Sequence, residues 1–103
     1  MKNMNEIMRQ AQKMQQKMQK MQEELESREV AATSGGGMVE AVVNGKGHLL
    51  SLHLEKDVVD PQDIDMLTDL ILAAVNEAQR QASEMMESEM SGITGGFKMP
   101  GMF

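Results

Sequence analysis

Cysteine, tryptophan and tyrosine are absent from this chain of 103 residues, and phenylalanine occurs only twice. Without cysteine there is no disulfide, no thiolate metal ligand and no cysteine nucleophile. The two aromatics, Phe97 and Phe103, both sit near the C-terminus. A stacking platform for single-stranded bases is therefore excluded, and the core has to be built from Leu, Ile, Val, Ala and Met. Long apolar runs are also missing. The segment from Lys2 to Glu24 is too polar for the apolar core of a signal peptide, and no stretch approaches transmembrane length. A cytoplasmic location with no membrane partner is expected.

What the chain has instead is methionine, thirteen of them. Methionine is flexible and polarizable and suits helix seams and adaptable surfaces. A chain of this size is one domain, and alone it buries roughly 60–70% of its unfolded surface. A partner subunit would add to a modest stability margin.

The pattern of apolar residues gives the elements. Met4, Ile7, Ala11, Met14, Met18, Met21 and Leu25 alternate spacings of three and four, which is a heptad seam. No Gly or Pro interrupts it, so a helix is predicted from about Asn3 to Ser27. Three short strands follow. Val30 to Ser34 is β-compatible, and Gly35-Gly36-Gly37 ends it. Met38 to Val43 puts Val39, Ala41 and Val43 on one face. Gly47 to Glu55 puts Leu50, Leu52 and Leu54 on one face. Asn44-Gly45 between the last two is a hairpin-turn signal, because both residues tolerate positive φ. Asp60-Pro61 reads as an N-cap and first residue of a second helix. Its apolar face holds Ile64, Leu67, Ile71, Ala74, Ala78, Ala82 and Met85, and Ser91-Gly92 is the expected stop. The expected class is α+β: an αβββα protomer with three short antiparallel strands, a long N-terminal helix and a C-terminal helix. Residues 1–92 form the domain, and the Gly/Pro-rich stretch 93–103 is expected to be a flexible tail. A three-stranded sheet has two open edges and the first helix has a narrow seam, so a homodimer is expected.

The net charge is −6, but its distribution is lopsided. Residues 1–22 carry a local +4, residues 23–29 carry −3, and residues 30–103 carry −7. On a helix, Lys2, Arg9, Lys13, Lys17 and Lys20 fall within an arc of roughly 80°, centred roughly 140° from the seam. A cationic stripe of this kind suits a phosphate backbone, where lysine and arginine gain by releasing counterions, but it does not read bases. Glu6 lies in the same arc and weakens its start. The competing reading is a solvated polar face on a coiled-coil helix.

Other candidate chemistry falls away. Met18 and Met21 have thioether spacing for copper(I), but with Met14 they are seam positions, and packing accounts for them. Gly35-Gly36-Gly37 precedes a strand rather than a helix, so it is not a phosphate loop. His48 and His53 are placed on opposite faces of a strand by alternation. Ser51 and His53 lack an orienting acid. Asp57, Asp60, Asp63, Asp65 and Asp69 lack the order of a calcium loop. No enzyme activity, cofactor, metal or small-molecule substrate is expected.

Gly35-Gly36-Gly37-Met38-Val39-Glu40-Ala41-Val42-Val43-Asn44-Gly45 resembles the G-G-G-x-V-x-V-x-x-N-G core of the YbaB/EbfC family of bacterial nucleoid-associated DNA-binding proteins. Leu67 to Ala78 resembles that family's second-helix motif. The Met/Gln/Lys N-terminal helix and the tail Gly95-Gly96-Phe97-Lys98-Met99-Pro100 match as well. The chain departs at Glu40, where many members carry lysine. The resemblance implies a tweezer-like homodimer with projecting helices that binds double-stranded DNA in the nucleoid and affects DNA organisation or gene expression. Carried over by position, it makes Arg9, Lys13, Lys17 and Lys20 the contacts. The alternative is a coiled-coil interaction adaptor, in which the Met-rich seam of Ile7, Ala11, Met14, Met18, Met21 and Leu25 captures a partner helix and the charges only keep the protein soluble.

Overall fold

A computed structural model describes residues 3–94. The elements are α1 (Met4–Ser27), β1 (Glu29–Ser34), β2 (Val39–Asn44), β3 (Leu49–Leu54) and α2 (Ile64–Thr94), with short 3-10 turns at Gly35–Gly37 and Lys56–Val58. The three strands form one antiparallel sheet in the order β1-β2-β3. This is the αβββα architecture that the sequence pattern predicts.

Helix α1 begins where its cap is. The Asn3 side chain accepts from the Glu6 N–H at 2.9 Å, satisfying one of the free donors of the first turn. In the sheet, Val39, Ala41 and Val43 are fully buried on one face, and the register sets Val30 and Ala32 beside them. Across this face lies α2. Its buried residues Ala74, Ala78 and Ala82 recur every fourth position and form a ridge of single methyl groups. Small side chains let the helix backbone approach the sheet closely, and Leu67, Leu70, Ile71 and Val75 fill the flanks.

One corner fixes the start of this packing. Gly35, Gly36 and Gly37 all have positive φ, at 59°, 67° and 94°. A Cβ on Gly35 would stand 3.1 Å from the Leu70 side chain. Next to it, the Ser34 hydroxyl donates to the Leu70 carbonyl at 2.6 Å. The triple glycine therefore forms a tight turn packed against α2.

Four local expectations are corrected. First, α2 starts at Ile64 rather than at Pro61. Asp60 to Asp63 is a turn, in which the Asp63 N–H donates to the Asp60 carbonyl at 2.9 Å and the Asp60 side chain accepts from Gln62. Asp63 then serves as the cap, accepting from the Met66 N–H at 3.1 Å. Second, a bulge between Val42 and Val43 puts Leu49, rather than Leu50, opposite Val43. Leu49, Leu52 and Leu54 thus share the face of the buried β2 residues, while Leu50 is the extra residue. Third, Gly45 does not have positive φ; in the β2–β3 turn only Gly47 does, at 89°. The hairpin loop is three residues long and closes with the Asn44 N–H donating to the His48 carbonyl at 2.9 Å. Fourth, α2 passes through Ser91-Gly92 and continues to Thr94. Ile93 and Thr94, expected in the flexible tail 93–103, are thus helical, and the rest of that stretch, 95–103, lies outside the described residues.

The molecule is elongated. Its radius of gyration is 19.6 Å and its extents are 71 × 26 × 16 Å, against about 13 Å for a compact chain of this length. Element lengths explain this. A six-residue strand spans about 20 Å, whereas α1 spans about 36 Å and α2 about 46 Å. Both helices must overrun the sheet.

Candidate nucleic-acid interface

The base of α1 is held at the hairpin end of the sheet. The Gly45 N–H donates to the carbonyls of Leu25, at 2.8 Å, and Arg28, at 3.1 Å. A Cβ at Gly45 would meet the Leu25 carbonyl oxygen at 2.6 Å, so only glycine allows this approach. Asn44, buried beside it, accepts at 3.0 Å from the N–H groups of both Lys46 and His48 and holds the loop in shape. Two ion pairs flank the joint, Lys46 to Glu26 at 2.8 Å and Arg28 to Glu89 of α2 at 2.9 Å. The Lys46 ammonium also lowers the pKa of the Glu26 carboxyl, chiefly through the hydrogen bond.

Burial along α1 falls off from this joint. Leu25 is 1% exposed and Met21 6%, both buried. Met18 and Met14 are half-buried, and Ala11, Ile7 and Met4 are exposed. Met18, Met21 and Leu25 share one hollow with Met86 and Met90 of α2. The seam therefore packs within the chain over its C-terminal part and is open over its N-terminal part.

The predicted contact residues lie on the rest of this helix. Arg9, Lys13, Lys17 and Lys20 are all exposed, and none joins an ion pair among the described residues. By contrast, Arg28, Lys46 and Arg80 each hold a carboxylate. The body neutralises these bases, while the rod leaves its cations to solvent. From Arg9 to Lys20 the stripe runs about 16 Å. Over that axial length a duplex carries about ten phosphate charges. Lys2, the fifth predicted contact, lies outside the described residues.

Sequence reasoning missed what surrounds the inner end of the stripe. Lys17 and Lys20 line a hollow with Glu24 of their own helix and with Glu89 and Ile93 of α2. Arg9 and Lys13 stand farther out on the rod. The missing signal is non-local, because the end of α2 comes alongside α1 only in the folded chain. Sequence reasoning also missed Gly45 and Asn44 as the joint that aims the rod. Among the described residues there is no group of three His, Asp or Glu side chains placed to hold a metal. No helix among them is long and apolar enough to cross a membrane.

Comparison with known proteins agrees with this architecture. A crystal structure of an uncharacterized protein from Helicobacter pylori shares the fold, with a TM-score of 0.83 over 92% of this chain and 100% of that one at 19% identity. A nucleoid-associated protein of Clostridium novyi is 56% identical over 98% of this chain and 89% of its own length. A nucleoid-associated protein of Caldanaerobacter subterraneus is 54% identical over 98% of this chain and 91% of its own length. The sequence model of the YbaB/EbfC DNA-binding family matches residues 1–97, so the chain belongs to that family.

Proposed function

We propose that this protein is a non-enzymatic, nucleoid-associated DNA-binding protein of the cytoplasm that contacts duplex phosphates through the α1 stripe of Arg9, Lys13, Lys17 and Lys20, with Lys2 extending it. The observation that carries the reading is the unpaired cationic face on a projecting helix, joined to a body that is otherwise anionic and pairs Arg28, Lys46 and Arg80 with its own carboxylates. The names of the relatives support nucleoid association. The contact is to backbone rather than to bases, because lysine and arginine ranged along a helix face meet phosphates by charge and counterion release. Affinity is accordingly modest, salt-dependent and indifferent to sequence. Bending or compaction of the duplex would follow from two such rods acting on one molecule.

The two rods come from a homodimer. The edge strand β3 supports this reading: among the described residues no strand pairs with its outer edge, and Leu49, Leu50 and Leu52 are 48%, 53% and 38% exposed. An apolar, unpaired strand edge is a surface that calls for a partner.

Replacing Lys13, Lys17 and Lys20 together by Glu tests the assignment. Gel-shift binding at low salt is lost while the dimer persists in sedimentation. Full DNA affinity in the triple variant would refute it. The open part of the seam, with Met4 70% and Ile7 50% exposed, supports a second reading, the interaction adaptor. The same triple variant separates the two, since an adaptor keeps its partner and gains nothing from the lysines.

A further inference from the structure

The hollow where α1 meets α2 is lined by soft donors. Met18 and Met21 stand three apart on α1, and Met86 and Met90 stand four apart on α2, so each pair shares one helix face. All four line the same hollow, together with His48 at the end of the β2–β3 turn. Sequence spacing gives only the α1 pair, which seam packing accounts for. The fold adds two more thioethers and an imidazole. Access differs around the wall. Met21 is 6% exposed, Met18 and Met90 are half-buried, and Met86 is 39% exposed. One thioether is thus buried and another is open to solvent, which gives the hollow an entry path. The His48 backbone is fixed by Asn44, whose side chain accepts from the His48 N–H at 3.0 Å and whose N–H donates to the His48 carbonyl at 2.9 Å. Neither nitrogen of the His48 ring has a hydrogen-bond partner among the described residues.

We propose that this hollow is a copper(I) site, with the thioethers of Met18, Met21, Met86 and Met90 and the imidazole of His48 as its donor set. Thioether sulfur is a soft ligand that selects copper(I), and imidazole suits copper as well. Methionine is unbranched and flexible, so side chains on two facing helices can turn their sulfurs toward one ion while the backbone stays in place. Charge favours a monovalent ion. The donors are all neutral, and Lys46, the cationic side chain in the lining, is held by Glu26 at 2.8 Å. A hollow built mainly from methionine receives one charge at lower cost than two. Hard divalent ions want oxygen ligands, and among the described residues no group of three His, Asp or Glu side chains is placed for one. Because the donors come from α1, α2 and the β2–β3 turn, a bound ion ties the base of the rod to the body. The proposal does not rest on DNA binding, and its test uses no DNA.

The absence of cysteine makes the test clean, since no thiolate competes for the metal. The full-length protein, with carbon-13 on its methionine methyl groups, is titrated under anaerobic conditions with copper(I) supplied as its acetonitrile complex. A single ion per chain is expected to shift the methyl signals of Met18, Met21, Met86 and Met90 and to leave Met66, in the first turn of α2, unmoved. Silver(I) gives the same shifts, and zinc gives none at these four. Met18→Leu combined with Met86→Leu keeps side-chain volume and hence the fold. It weakens binding at least about tenfold, a loss that even an outer-shell partner can cause. His48→Gln, at an exposed position, also weakens binding and does not disturb the core. Met4→Leu with Met8→Leu, on the exposed outer rod, leaves binding unchanged. Circular dichroism verifies that each variant is folded. Unshifted signals at the four methionines on addition of copper(I) would overturn the proposal. So would an unchanged titration midpoint in the Met18→Leu, Met86→Leu protein or in His48→Gln.

Discussion

At Gly45 the side chain is a single hydrogen because a carbonyl oxygen of another element occupies the space a methyl group needs. Asn44-Gly45 looks from its sequence like a turn whose residues tolerate positive φ, yet the glycine is there for close approach, and Gly47 is the left-handed residue instead. Nothing within the dipeptide reveals this, because Leu25 lies twenty residues away. Two glycine substitutions separate the causes. Gly45→Ala forces apart the Leu25 carbonyl and the N–H that donates to it, and is expected to cost about 1–3 kcal/mol, as overpacking does. Gly36→Ala meets no atom but must hold φ near 67°, with an expected cost of about 1–2 kcal/mol. Urea unfolding measures both. The Gly45 variant should also weaken amide-exchange protection at the α1 C-terminus, which the Gly36 variant leaves intact. Removal of the Asn44 carboxamide in Asn44→Ala strips the N–H groups of Lys46 and His48 of their acceptor, for an expected loss of about 1–3 kcal/mol by the same measurement.

Among the elements, α1 is the one most fully legible from sequence. Its cap, its uninterrupted run of helix formers and its heptad spacing are all local signals. What the spacing cannot say is which seam residues meet anything. Leu25 and Ile7 occupy the same pattern, yet one is 1% and the other 50% exposed. Leu25→Ala is expected to cost about 2–5 kcal/mol, and Ile7→Ala within about 0.5 kcal/mol. Comparable losses at the two sites would contradict a seam packed only at its base. The start of α2 is ambiguous in sequence for a related reason. Asp60-Pro61 and Asp63 both satisfy the rules for a helix start, and local chemistry cannot rank a turn followed by a cap against an earlier cap. The strand bulge is equally hidden, because alternating leucines at 50, 52 and 54 fit a regular strand as well as Leu49, Leu52 and Leu54 fit a bulged one. On the outer face of α2, Arg80 holds Glu77 at 2.6 Å and lowers its carboxyl from the ordinary 4.5 to about 2. A depressed carboxyl supports the fold above its ordinary value and loses that support as pH falls toward about 2. Both partners are exposed, so the stabilisation is small and screened by salt. An NMR titration of the Glu77 carboxyl should give the low value, and Arg80→Gln should raise it toward the ordinary carboxylate range, short of a full return because the Gln81 amide still donates to it.

For the whole molecule, the decisive property is where charge is neutralised. Helical spacing puts the cations of the first 22 residues on one arc, and that arc is exposed on the described part of α1. The projection of the rod is implicit in element lengths, since a 24-residue helix cannot be covered by six-residue strands. The long-range pairing of the body's own bases is not legible in sequence, because Arg28 finds Glu89 across 61 positions. That pairing sharpens the contrast between body and rod. It predicts that Arg28→Gln, by releasing Glu89 beside the hollow of Lys17 and Lys20, weakens DNA binding modestly without touching the stripe. A gel shift at low salt checks this, and unchanged affinity would show that the inner hollow is electrostatically silent.

The slope of log affinity for duplex DNA against log salt concentration tests the central claim most directly. If the rods hold phosphates, the slope is steep and negative, near −0.9 for each phosphate neutralised. Changing Lys13, Lys17 and Lys20 singly to Gln then flattens it by about one unit for every phosphate set free, uniformly across DNA sequences. A slope that stays the same in all three variants would mean that the cations of α1 do not touch DNA.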